Sequence, residues 1–545
     1  MFKKRNGFIL LLAFAMTMSL LAGCADSKKE PNASDGKAEN GSHAGANNAG
    51  NAGNNKKSGG TSGHLVTKDP LELTIHMHFG DNVSYQDDWP VFQKAAELTN
   101  VSLKGTAPSS ATNSKELFNI TMASGELSDI VHFNLKDVYD NYGVEGAFEP
   151  LNDLIDEHAP NIKALFEERP DLKRHATASD GNIYFINFIP DGQVAKGWFI
   201  REDWLEKLQL ETPTTVDEFY TVMKAFREQD PNGNGQKDEV PFFARMKSAA
   251  LDFLVFWNAN RGLYLANDKI GFGPYEDAYK TGVQNIADWY KEGLIDPEIF
   301  TRGSKGRDIM LREDRGGVTH DWLGSTAGYN DILQGERPDF AFMPMLPPAS
   351  VDGQIREETK RAEVAASGWG IASTSKHKVE AIKYFNFWFS EEGRRLMNFG
   401  IEDVHYDMVD GKPVFKEQYL KAENGTLAAL QEDGVQIEIG FHQNFDYERQ
   451  WSNAIALQGE DMYTKANVFM EQYPTVSYTN EEREKLTTLK SAITTYVEEM
   501  SQKWILGAED LTDDSFAAFQ KSLKSMGVEE MLQLEQQAYD RFMSQ

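Results

Sequence analysis

The chain has 545 residues, with 55 Lys and Arg against 84 Asp and Glu, a formal net charge of −29, and one cysteine. That length carries a soft expectation of two to four domains, and 40% apolar residues with 11% aromatics exclude a wholly disordered chain. A single cysteine excludes an intramolecular disulfide framework and a cysteine-based zinc module, and the acidic balance argues against nucleic acid, which needs a basic footprint.

Taken in chain order, Lys3, Lys4 and Arg5 precede a mostly apolar run from Phe8 to Ala22, too short to span a bilayer comfortably. The run ends in Leu21-Ala22-Gly23-Cys24, which resembles a bacterial lipobox. The resemblance implies a signal peptide over 1–23 and diacylglycerol on Cys24, the anchor and first mature residue. Residues 25–64 contain no Val, Ile, Leu, Met, Phe, Tyr or Trp. Such a segment cannot bury a core, so a flexible linker over 24–69 is expected, with an r.m.s. reach of roughly 35 Å.

The body reads as strands alternating with helices. Leu71-Glu72-Leu73-Thr74-Ile75 has strand period, and Asp129–Phe133 reads as the next strand. Trp89–Thr99 and Ser114–Ala123 have helical spacing between them. Gly181–Ile186 reads as a turn entering a strand, and Trp198-Phe199-Ile200 as another. Thr215-Val216-Asp217-Glu218 has the form of a capping box opening a helix to about Gln229. Thr479-Asn480-Glu481-Glu482 opens a second, through about Lys503. This pattern predicts α/β lobes followed by a helical C-terminal extension.

Several of these segments carry a family resemblance. Phe199-Ile200-Arg201-Glu202-Asp203-Trp204-Leu205 followed by Thr212-Pro213-Thr214-Thr215 resembles extracellular solute-binding lipoproteins of carbohydrate ABC importers. So do Ser124–Ile130, Gly146–Leu151, Tyr290–Pro297 and Ile505-Leu506-Gly507, in the same order. The resemblance implies an α/β, two-lobed periplasmic-binding-protein-like fold (type II) with a hinge, a ligand cleft and a C-terminal helical extension. It implies one lobe from 70–187 plus 320–371 and the other from 188–319 plus 372–545. The partners it implies are an oligosaccharide and a membrane permease, with the protein a monomer held at the outer face of the membrane.

Sugars offer polar edges and flat apolar faces, so their sites combine aromatic rings with planar hydrogen-bonding groups. Trp198, Trp257, Trp322 and Trp369 fall where the resemblance places the cleft, and core packing competes for each. Asp321 beside Trp322, Asn134 at a strand end, and His405 with Tyr406 complete the expected ligand set. Trp204 and Trp388 read as core. A uronate ligand would want a cation, and Arg201 and Lys196 lie near the right segment.

Asp230-Pro231-Asn232-Gly233-Asn234-Gly235-Gln236-Lys237-Asp238-Glu239 is the sharpest chemical motif. Asp230, Asn232 and Asn234 supply side-chain oxygens at positions 1, 3 and 5, and Gln236 a carbonyl at 7, as in the first half of an EF-hand loop. Position 12 is Pro241 instead of Glu, a departure from the EF-hand; the family resemblance implies a compact version in which Asp238 and Glu239 complete the cage around structural Ca²⁺. The competing reading is an acidic Asn-Gly turn. The sequence has no His-Glu-x-x-His, Walker-A loop or Gly-x-Ser-x-Gly elbow, and a non-enzymatic binding protein is expected. A sensory or adhesive lipoprotein and a glycoside hydrolase are the alternatives. His76 and His78 share a strand face and read as polar strand residues.

Overall fold

Leu73 and Ile75, on one face of the Leu71–His76 strand, are wholly buried, as period-2 alternation requires. The computed structural model describes residues 63–81 and 83–545; Cys24, the leader 1–23 and the linker up to residue 62 lie outside the described residues. Thr61–Gln545 is one compact unit, organised around two sheets.

In the first sheet the strand order is Val101–Gly105, Leu71–His76, Ile130–Phe133, Gly368–Ile371, Ile186–Asn187. The first three run parallel, and Gly368–Ile371 inserts antiparallel beside Ile130–Phe133. The second sheet is ordered Phe342–Met345, Lys196–Arg201, Gly316–Trp322, Val240–Phe242. Its register pairs Val318 with Ile200, His320 with Trp198 and Trp322 with Lys196.

Helices form where the caps demand them. Pro90 opens the Pro90–Thr99 helix and Asn100, at φ 62°, ends it. Thr215 accepts from the Glu218 N–H, but the Glu218 carboxylate turns to Thr214, so that box is half made. At Thr479 both halves are present, opening the Asn480–Ile505 helix. With Asp513–Ser525 and Val528–Ser544 this helix forms the C-terminal extension, burying Trp504, Phe516 and Met531 against the second lobe. The extension also reaches the first lobe, where Ser477 contacts Lys136 and Asp140 and Phe542 meets His175 edge-on.

The lobe boundaries differ from those expected. His320 belongs to a strand paired with Lys196–Arg201, so 316–345 lies in the second lobe. Residues 372–447 lie in the first. The Lys378–Trp388 helix turns Ala381, Ile382, Phe385 and Trp388 into the core with Leu73 and Ile130, and Ile437 and Phe441 join them. The chain crosses near 188–195. It crosses again over 346–367 and a third time over 445–453, instead of near His320 and Ile371. Backbone contacts hold the first crossing: Ile189 N–H donates to Phe441 O of the first lobe at 2.9 Å, and Arg361 N–H on the second crossing donates to Gln193 O at 2.8 Å.

Candidate ligand cleft

The parallel strands of both sheets end toward the crossings, where an α/β sheet places its ligands. Along Gly316–Trp322, alternation turns His320 inward and leaves Trp322 at the strand end, 51% exposed. Trp322 and Leu323 line a pocket of about 160 Å³ with Arg361, Phe445, Glu448 and Glu460 from the crossing segments and the helix that follows. Arg361 holds Glu448 through two hydrogen bonds, 2.8 and 3.1 Å, and its guanidinium lies 5.2 Å from the Phe445 ring centre. Glu460 accepts from Gln193 N–H at 3.1 Å, and burial raises its pKa. Half-buried Trp451, on the same crossing, keeps its Nε1–H without a protein partner. An exposed indole beside a planar guanidinium–carboxylate pair is suited to a polyol ring: one stacks, the other hydrogen-bonds.

Of the expected ligand residues, Trp322 lines this pocket, and Asn134 is exposed at its strand end. The others are corrected. Trp198 is 1% exposed, stacked on His320 at 4.9 Å in the second core. Trp257 packs edge-on against Trp289. Trp369 is fully buried and stacked on Phe385 at 4.2 Å. His405 is fully buried, accepts from the Ile401 N–H at 2.9 Å and stacks on Tyr419; burial lowers its pKa. Tyr406 is buried opposite Phe415 in a hairpin. Asp321 is buried and occupied: Arg245 binds it through Nε at 2.6 Å and through Nη2, and Arg307 through Nη1 at 3.0 Å. Arg201 is likewise enclosed, paired with Asp203 and Asp314.

Arg361, Phe445, Glu448 and Trp451 escaped the sequence reading. The available signal was the aromatic density of Phe441–Trp451 in an otherwise polar stretch.

Behind the cleft lies a buried ionic cluster. His320 sits between Asp252 (Nδ1, 2.8 Å) and Glu357 (Nε2, 3.2 Å). Burial pulls its pKa down, but the two carboxylates overcome this and hold it at about 10. Arg261 bridges Asp252 and Glu358, and burial lifts Glu358 to about 7 despite that contact. In the first lobe His78 is spent on Ser114 Oγ and Ala111 O, and burial, then His78, lowers His76 to about 4. A more apolar cavity of about 280 Å³, walled by Leu251, Phe272, Phe300, Val497 and Ile505, lies between the second lobe and its extension.

The Asp230–Glu239 loop is tightly wound. Asp230, Gly233 and Gly235 have φ of 49, 74 and 78°, the left-handed region glycine favours. Asp230 accepts from Asn234 N–H and Gly235 N–H at 3.0 and 2.9 Å, and Asn234 Oδ1 from Gln236 N–H at 2.7 Å. Among the described residues no group of three or more His, Cys, Asp or Glu converges as a metal cluster. Calcium, however, accepts amide and carbonyl oxygens as well. The test is Glu239: it is 1% exposed, and its carboxylate meets no side-chain donor, with only the backbone N–H groups of Asn232 and Glu239 near it. Burial raises its pKa, with Asp230 and Asp238 adding to the effect. A buried carboxylate without a side-chain donor, facing further acids, fits a hard divalent cation.

Comparison with known proteins agrees with the fold. The fructooligosaccharide ABC transporter substrate-binding protein FusA of Streptococcus pneumoniae is 26% identical over 511 residues, 88% of this chain and 89% of its own. An EF-hand mutant of FusA in complex with fructo-nystose superposes with a TM-score of 0.64 at 23% identity, covering 88% of this chain and 100% of that one. The polygalacturonan/rhamnogalacturonan-binding protein YtcQ of Bacillus subtilis is 24% identical over 352 residues, 59% of this chain and 64% of its own. The crystal structure of the alginate-binding protein AlgQ2 without calcium ion is 44% identical, with a TM-score of 0.73 over 88% of this chain and 100% of that one. The model of the bacterial extracellular solute-binding proteins matches residues 85–395, and with two lobes around a crossing-lined cleft, this chain belongs to that family.

Proposed function

We propose that this protein captures an acidic oligosaccharide in the cleft between its lobes and delivers it to an ABC permease, working as a monomer anchored through lipid on Cys24. The observation that carries the reading is the pocket where the crossings meet, with Trp322 exposed beside the Arg361–Glu448 pair. The substrate-binding relatives support carbohydrate capture for import, and 44% identity to an alginate-binding protein supports a sugar bearing carboxylates. Asn134 is the first-lobe residue proposed to meet the ligand. The lipobox supports the anchor, and replacing Cys24 with Ala should release the protein from the membrane fraction.

The loop is proposed to hold structural calcium through Asp230, Asn232, Asn234, Asp238 and Glu239 with the Gln236 carbonyl. Bound there, the ion would neutralise the loop's acids and fix its winding. The EF-hand variant of FusA and the calcium-free form of AlgQ2 support that assignment.

Calorimetry against acidic and neutral oligosaccharides tests the function. Saturable binding of an acidic member with no product released is expected. Steady release of reducing ends, or no binding across the panel, would overturn it.

A further inference from the structure

We propose that Lys196 reads a carboxylate of the bound sugar as the ring lies on Trp322. The inference rests on the acidic-oligosaccharide reading above and assigns the residue that makes the discrimination.

The second sheet places the two side chains together. Lys196 and Trp322 are directly opposed in the antiparallel pair, so they leave the sheet on the same face. The preceding pair on that face is Trp198 with His320, stacked at 4.9 Å and enclosed in the core. The row therefore passes from buried to exposed in one step, and its outer pair is an aromatic ring beside an ammonium. Trp322 is 51% exposed and Lys196 is half-buried.

Charge pairing sets Lys196 apart from its neighbours. Arg361 is matched by Glu448, while Arg245 and Arg307 share the single carboxylate of Asp321, which also accepts from the Trp322 N–H at 2.8 Å. Among the described residues, no acidic side chain lies within ion-pairing distance of Lys196. Asp252 feels its charge but is fully buried and already holds Arg261 and His320. Lys196 is thus a half-buried cation at the end of this strand with no acidic side chain among the described residues paired to it.

A pyranose stacked on an indole presents its C–H face to the ring and directs its equatorial substituents sideways. A uronate carboxylate on that edge would meet the Lys196 ammonium in a charge-assisted hydrogen bond. A neutral sugar would keep the stacking and lose that bond. Lys196 is thus assigned to selectivity and Trp322 to affinity for any ring.

The experiment uses the mature chain, with a mannuronate tetrasaccharide and its carboxyl-reduced counterpart as probes, each titrated into the wild type, Lys196→Met and Lys196→Arg. The wild type should prefer the carboxylated probe, with a preference that shrinks as salt rises. Lys196→Met should bind that probe roughly 10- to 100-fold more weakly, with binding of the reduced probe unchanged. Lys196→Arg should restore most of the preference and guards against a folding defect in Lys196→Met. If the wild type discriminates and Lys196→Met still does, the assignment of Lys196 falls while the acidic-ligand reading stands. If the wild type binds neither probe, or both equally, the acidic-ligand reading falls and this inference with it.

Discussion

The calcium loop offers the most direct quantitative test. Glu239 is buried with no side-chain donor to its carboxylate, and its raised pKa makes it a liability when ionised without a metal. The sign follows from linkage: a carboxyl whose folded pKa exceeds its unfolded value gives stability below the unfolded pKa and loses it as pH rises through the folded one. At neutral pH the chelated protein should therefore carry the cost of an unsatisfied buried group, about 1–3 kcal/mol. Calcium at about 100 times its Kd should add ~2.7 kcal/mol. If the second lobe melts as a unit of about 150–250 residues, that is a rise in Tm of roughly 5–10 °C. Scanning calorimetry of protein dialysed against chelator, then titrated with calcium, measures both effects. Glu239→Gln removes the charge but keeps the shape, so it should melt higher than chelated wild type and respond less to calcium. An unchanged wild-type Tm on adding calcium, or an equal response in Glu239→Gln, would refute the argument.

Trp322→Ala should weaken carbohydrate binding roughly 5- to 150-fold, given ~1–3 kcal/mol for removing a stacked aromatic ring, with denaturant stability moved by no more than about 0.5 kcal/mol; Trp369→Ala should instead cost ~3–5 kcal/mol in the same denaturation experiment. Because His320 is held at about 10, its contribution is full below its unfolded pKa of about 6.5 and fades as pH rises toward 10. The denaturant midpoint should fall across that range, and a flat profile would mean the pairing with Asp252 and Glu357 is wrong. His320→Leu leaves those two buried carboxylates facing each other and should cost about 3–5 kcal/mol at neutral pH. Arg361→Met should reduce ligand affinity by calorimetry and also lower Tm, since it strips a largely enclosed Glu448 of its partner and removes the hydrogen bond to Asp191 O.

The tryptophans show where sequence reasoning holds and where it stops. Trp369 is expected in the cleft, and its flanking Gly368 and Gly370 leave room for a close approach. The glycines instead admit protein: a Cβ at Gly368 would lie 2.3 Å from Ile186 O, and one at Gly370 2.3 Å from the Tyr139 hydroxyl. The local pattern announces a close approach without saying by what. Trp198 and Trp322 likewise stand on paired strands of one face, two steps apart in register. Whether a ring is enclosed depends on what covers the sheet there, and that cover comes from residues 247–257 and the crossings.

The lobe assignment failed for a related reason. The Gly316–Trp322 and Gly368–Ile371 strands are both almost wholly buried, and neither carries a pattern that ties it to one sheet. Only pairing partners distant in the chain, such as Val240 for Gly316 and Ile130 for Ile371, decide between them. The site residues contributed by 445–453 were hidden for the same cause: a connecting segment has no periodicity to betray its role.

By itself the sequence determined most helix and strand positions, the two helix-opening caps and the loop spacing from Asp230 to Glu239. These follow from local chemistry: caps, turn residues, apolar period and composition act over a few residues. The tertiary structure decided which strands share a sheet, which tryptophan reaches the cleft, and that Arg361 and Glu448 meet beside it. Burial and charge pairing are set by neighbours distant in the chain, so only the folded molecule could settle them.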